Sequence, residues 1–209
     1  MKIRTTAAAA LLAASALAAL APSQAFAAPQ APPCTKKNIA YLDAQNHHED
    51  AEAKVTAAEQ ALDRAKADRA KVDRLAELGE ALDNVLTRDG SDRARSVAYK
   101  IHPEQYVLAQ AVWKHDAVAS ADAAVKLADA TEKELKDQGA QGTLGGNRAG
   151  EYVKVLRADA EKARSATEAP NVEARQADLD AARAELTKAA KAVRPARDTY
   201  RDCLDKLVN

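Results

Sequence analysis

The sequence predicts an all-α fold: an antiparallel coiled-coil helical hairpin made by the N- and C-terminal helices, carrying a multi-helix head and elongated overall. Three observations predict it. Alanine, the strongest helix former, supplies 53 of 209 residues, while aromatics make up 3% and no period-two strand pattern occurs. Apolar residues near both ends of the chain recur at heptad spacing, the mark of helices packed along a seam. The seven glycines and seven prolines cluster at a few interruptions and leave long helix-forming stretches between them.

The first element is a leader. Lys2 and Arg4 precede an apolar run over residues 7–21, Pro22 ends it, and Ala25-Phe26-Ala27 is a small-x-small cleavage site, the pattern of a secretory signal over residues 1–27. That run is shorter than the ~20 residues needed to span a bilayer, so a secreted, extracellular chain without stable membrane insertion is expected. Residues 28–33 read as a disordered lead-in. The two cysteines, Cys34 and Cys203, are expected to pair, because exported chains favour disulfides.

Helices are predicted at about 35–87, 92–101, 103–138, 150–168 and 171–207. Asp89-Gly90-Ser91-Asp92 is a turn signal. His102-Pro103-Glu104 reads as a helix start, with proline at the first helical position. Five glycines between Gly139 and Gly150 read as a flexible loop over 139–150, and Ala169-Pro170-Asn171 as a further break with Asn171 as N-cap.

The terminal helices carry the seams. In the first, steps of seven give Cys34, Tyr41, His48, Val55 and Leu62, beside Lys37, Ala44, Ala51, Ala58, Ala65 and Val72. In the last they give Val172, Leu179, Leu186, Val193, Tyr200 and Leu207, beside Arg175, Ala182, Ala189, Ala196 and Cys203. If Cys34 bonds Cys203 and the helices run antiparallel, Tyr41 faces Ala196, Ala51 faces Leu186, Val55 faces Ala182 and Ala58 faces Leu179. A larger side chain then meets an alanine at each level, which lets the backbones approach without voids. The stalk is expected over 34–71 and 171–207. Where the seam slips, at Val72, Leu75, Leu78 and Leu82, a wider head over 72–168 is expected around Trp113, with Val153, Val155 and Leu156 contributing.

Little in the chain points to chemistry. His47 and His48 with Glu49 and Asp50 form the one cluster resembling metal ligands, but adjacent residues on a helix diverge by about 100°, and His48 falls on the seam. No serine stands in a nucleophile-elbow context, and paired cysteines leave no thiol nucleophile. Gly142-Thr143-Leu144-Gly145-Gly146 lacks the Lys-Ser/Thr of a phosphate loop and joins helices. The acidic and basic residues, 31 of each, balance too evenly for nucleic-acid binding. The run from Asp63 to Arg74 alternates signs and reads as a solvated helix surface. No catalytic, metal or cofactor residue is therefore expected.

The helical hairpin is similar to coiled-coil modules of bacterial envelope proteins, a generic likeness that carries no function with it. The expected role is a non-enzymatic scaffold or interaction module, outside the cell or at the envelope, for a protein or cell-envelope partner. Gly142, Thr143, Leu144, Gly145, Gly146, Asn147 and Arg148 are the candidate contact loop, since functional loops are carried on rigid scaffolds. The alternative is a small-ligand or lipid carrier with a pocket near Trp113.

Overall fold

The computed structural model describes residues 32–88 and 91–208, and those residues are helical with no strand among them. The expected leader over residues 1–27 and residues 28–31 lie outside the described residues, as does the predicted Asp89-Gly90 turn. Five helices follow in order: α1 (Thr35–Thr87), α2 (Asp92–Trp113), α3 (Ala117–Asp137), α4 (Leu144–Arg164) and α5 (Val172–Val208), with a 3-10 turn Ala169–Asn171 before α5. Pro32 and Pro33, expected in the disordered lead-in, instead lie in a turn that leads into α1: the Thr35 N–H and hydroxyl both donate to the Pro32 carbonyl.

α1 is the axis of the fold. α5 packs against it and their far ends are joined by the Cys34–Cys203 disulfide, Cα–Cα 5.9 Å, so the two run antiparallel. Along α1 the shielded positions are Tyr41, Ala44, His48, Ala51, Val55, Ala58, Leu62 and Ala65, spaced three and four apart, a pattern compatible with coiled-coil winding. Only Leu179 of α5 is fully buried, because a lone partner helix shields its neighbour from one side. The seam has three corrections. Lys37 is exposed and Asn38 takes the half-buried position, while Leu207, past the disulfide, is exposed. Tyr41 stacks on Tyr200 with ring centroids 6.2 Å apart, so at that level two large rings meet, one turn from the expected Ala196. Lys54–Glu185 at 2.9 Å and Glu59–Arg183 at 2.9 Å bridge the flanks.

From Val72 onward α1 enters a bundle. α2 contacts α1 and α3, α3 contacts α4, and α4 returns to α1, closing a four-helix ring over one buried cluster that runs from Val72 to Ala169. Its large members are Leu75, Leu82, Leu86, Ile101, Leu108, Leu127 and Leu156. Much of the remainder is alanine, including Ala94, Ala121, Ala124, Ala128, Ala149, Ala160 and Ala163. Small side chains at the contacts let helices pack closely to interior density, which is how so few aromatics suffice.

The break expected at His102-Pro103 is absent: α2 runs through Pro103. Proline costs a helix one backbone bond and crowds the carbonyl four residues earlier, here that of Tyr99. Pro103 and Tyr99 lie on the side turned away from the bundle core, where the helix can bend away from the ring without disturbing packing. The chain turns instead at His115, which has φ 54. Its N–H donates to the Val112 carbonyl and that of Asp116 to Ala111, a Schellman closure with histidine in the left-handed position. Asp116 then caps α3 by accepting from the Ala119 N–H at 2.9 Å. The end of α3 repeats the device with Gly139 at φ 58.

Most of the charged run Asp63–Arg74 is solvated surface as expected, with Asp63, Arg64, Lys66, Lys71 and Arg74 exposed, but Asp68 and Arg69 fasten the entry to α5. Asp68 accepts the Glu168 N–H at 3.2 Å. Arg69 donates from Nε to the Ala169 carbonyl at 3.0 Å and from both terminal nitrogens to the Glu173 carboxylate. Asn171, expected as an N-cap, donates its side-chain amide to Glu168. For Asp68, burial pushes the carboxyl up but is outweighed by the Lys71 and Glu168 hydrogen bonds, so it titrates below its ordinary range. Glu173 is pulled from 4.5 to about 2, first by the Arg69 hydrogen bond and then by its own backbone N–H. A carboxyl depressed on folding contributes stability above its unfolded value and loses it as pH falls through its folded one. Glu173→Gln is therefore expected to lower Tm slightly at pH 6–7, as exposed pairs do, and the gap to wild type should shrink between pH 4.5 and 2 and vanish below. A thermal melt series over that range checks it; a gap that persists below pH 2 would assign the effect to something other than the ion pair.

Candidate interaction surfaces

The predicted 139–150 loop is much shorter in the structure. Only residues 138–143 lie between α3 and α4, and Gly145, Gly146 and Gly150 belong to α4. Thr143 explains the early start. Its hydroxyl donates to the Ala140 carbonyl at 2.9 Å and accepts from the Gly146 N–H at 2.9 Å, making it the N-cap. A Cβ on Gly146 would overlap the Ala140 carbonyl, so glycine is required by close packing. What the composition suggested as flexibility is a tightly packed helix start.

The candidate contact residues divide accordingly. Gly145 and Gly146 are buried, Thr143 is half-buried, and Gly142, Leu144, Asn147 and Arg148 face solvent. Leu144 is 65% exposed. It shares a shallow groove with Asn84, Val85, Arg88 and Arg148, and a second groove through Val85 and Arg148 continues to Tyr152 and Val155. The end of α1 and the start of α4 thus present apolar side chains flanked by two arginines and by Glu151, the last paired with Lys154 at 2.9 Å. Neither arginine takes part in the ion pairs found among the described residues, whereas many charges of the bundle are paired, for example Arg157 with Asp129 and Glu132. The proximity of Val85 and Arg88 to α4 carried no signal in the sequence, because it depends on how α1 and α4 dock.

Trp113, expected at the centre of the bundle, is 77% exposed. Val153 and Leu156 are buried as expected, but Val155 is exposed. The residues from Tyr106 to Trp113 looked apolar all round, yet Tyr106 and Val107 face solvent while Leu108, Ala111 and Val112 hold the core. The expected place of Trp113 at the centre of the head is thereby corrected: the indole lies on the outer face of α2. His48 is half-buried, its Nδ1 3.8 Å from Glu52, and His47 is exposed. Among the described residues no three His, Cys, Asp or Glu side chains converge as metal ligands would, and no helix is long and apolar enough to cross a membrane. Both cysteines are in the disulfide. Compared with known proteins, the chain matches no family model, no curated protein and no solved structure.

Proposed function

We propose that the protein is an exported, non-enzymatic helical interaction module that docks an acidic protein partner on the surface at the start of α4. The observation that carries the reading is the pairing of exposed Leu144 with Arg88 and Arg148 on a rigidly capped helix start. Arginines with no ion pair among the described residues, beside an apolar patch, suit a partner offering carboxylates around an apolar contact, since arginine binds carboxylates bidentately and is enriched at interface hot spots. A disulfide tying the two chain-terminal helices fits an oxidising compartment, which supports export together with the leader at residues 1–27.

The test is capture from the envelope and culture-medium fractions with purified oxidised protein, comparing wild type with the Arg88→Glu/Arg148→Glu variant. Both residues are exposed, so helix content and Tm should stay close to wild type. Wild type should recover an acidic protein at low ionic strength and lose it progressively as salt screens the attraction; the charge reversal should abolish recovery. Equal recovery by both forms would sink the reading.

A further inference from the structure

The outer face of α2 carries a second surface, distinct from the one at α4. Tyr99, Tyr106 and Trp113 stand seven residues apart and are 85%, 59% and 77% exposed. Seven residues return a helix to the same side with a drift of about 20°, so the three rings form one stripe about 21 Å long at 1.5 Å per residue. Pro103 and Gln110 fall between them, and Val107 flanks the stripe, all exposed. Gln110 Nε2 donates to the Tyr106 hydroxyl at 2.7 Å, holding the central ring in place. An aromatic stripe of this kind left uncovered is unusual, because each such ring offers roughly 150–250 Å² of mostly apolar surface.

We infer that the α2 face is covered by the same face of a second copy of this chain, packed antiparallel about a two-fold axis through Tyr106. The pattern is self-complementary, as an isologous contact requires. With the axis at Tyr106, Tyr99 of each copy lies opposite Trp113 of the other. Lys114 falls beside Tyr99 of the second copy, where its ammonium can lie on the ring. Arg95, one turn before Tyr99 and paired within its own helix with Asp92 at 2.6 Å, comes level with Asp116 and with the negative end of the second copy's α2 dipole. Area agrees with the assignment. At these exposures the three rings present roughly 400–500 Å², and Val107, Pro103, His102 and Gln110 bring the face near the ~800 Å² per partner of a standard interface. The result is a bivalent module with two copies of the α4 surface.

Sedimentation of the oxidised protein from about 1 to 300 µM, with Trp113 emission followed in parallel, tests this. As the only tryptophan, Trp113 should shift to the blue and resist iodide quenching as concentration rises, in step with a monomer–dimer equilibrium. Tyr106→Arg, at an exposed position, should leave the circular dichroism unchanged and weaken dimerisation by about thirtyfold or more, as loss of a central aromatic hot spot does. Tyr99→Arg should do the same and, lying opposite Trp113, should also keep its emission red at every concentration. A chain that sediments as a monomer throughout with Trp113 fully quenchable overturns the inference. So does a dimer that both variants leave intact. Capture by the α4 surface is read independently with the arginine reversal, so either proposal can fail alone.

Discussion

Gly146→Ala is expected to destabilise the protein by about 3 kcal/mol or more, while Gly150→Ala, four residues along the same helix, stabilises it by about 0.5–1 kcal/mol. The opposite signs follow from what each Cβ would meet. At Gly146 it would collide with the Ala140 carbonyl and crowd the Thr143 hydroxyl that caps the helix. Backbone cannot yield as a flexible side chain can, so the cost exceeds that of ordinary overpacking and outweighs the helix propensity gained. At Gly150 nothing lies within 4 Å and the backbone is helical, so alanine chiefly removes freedom from the unfolded chain. Denaturant melts of the two variants decide it. Equal, mild stabilisation of both would mean that the 139–150 segment is the flexible loop its composition suggests.

Cys203→Ser is expected to cost about 2–5 kcal/mol. The bridge closes a loop with a sequence separation of 169, and chain-entropy reasoning puts such a loop near 5 kcal/mol, with less realised in practice. In a chain of this size that corresponds to a fall of roughly 5–20 °C in Tm. The loss should be uneven. The α1–α5 pair near the disulfide has half-buried seams and exposed ion pairs, so its amides should exchange fastest, whereas amides around Leu75, Leu82 and Leu127, at the bottom of the bundle core, should change least in relative order. Far-UV circular dichroism at 20 °C should keep most of its helical signal. An unaltered Tm after Cys203→Ser, or after reduction of the wild type, would show that the bridge constrains nothing that the seam does not already hold.

One-dimensional patterns made much of the fold legible. Alanine content and heptads predicted an all-helical chain, and α1 begins and ends where expected because its seam is continuous from Cys34 to Val72 and its caps are local. The Cys34–Cys203 pairing was legible for the same reason: two cysteines on apolar stripes near opposite ends of an all-helical chain have few other ways to meet. Asp68 and Arg69 were misread because alternating charge on a helix looks the same whether it faces water or the turn at 166–171. Leu144 and Arg148 were legible as candidates by position, whereas Val85 and Arg88 join them only through tertiary contact.

What the sequence determined by itself was therefore helix content, the shielded stripe of α1 from Tyr41 to Ala65 and the covalent link of the terminal helices, since each depends on local propensity or on spacing along one helix. The tertiary structure alone decided where α2 ends, what the glycines do and which side of α2 faces water. Proline's local penalty at residue 103 was overruled because the packed face of α2 on either side, from Ala94 to Val112, recovers more by staying in one helix than the missing backbone bond costs on the solvent side. Gly146 is a packing residue only because Ala140 comes to lie against it. Trp113 is outside because alanine and leucine already fill the close-packed ring of four helices, leaving its large indole to the open face.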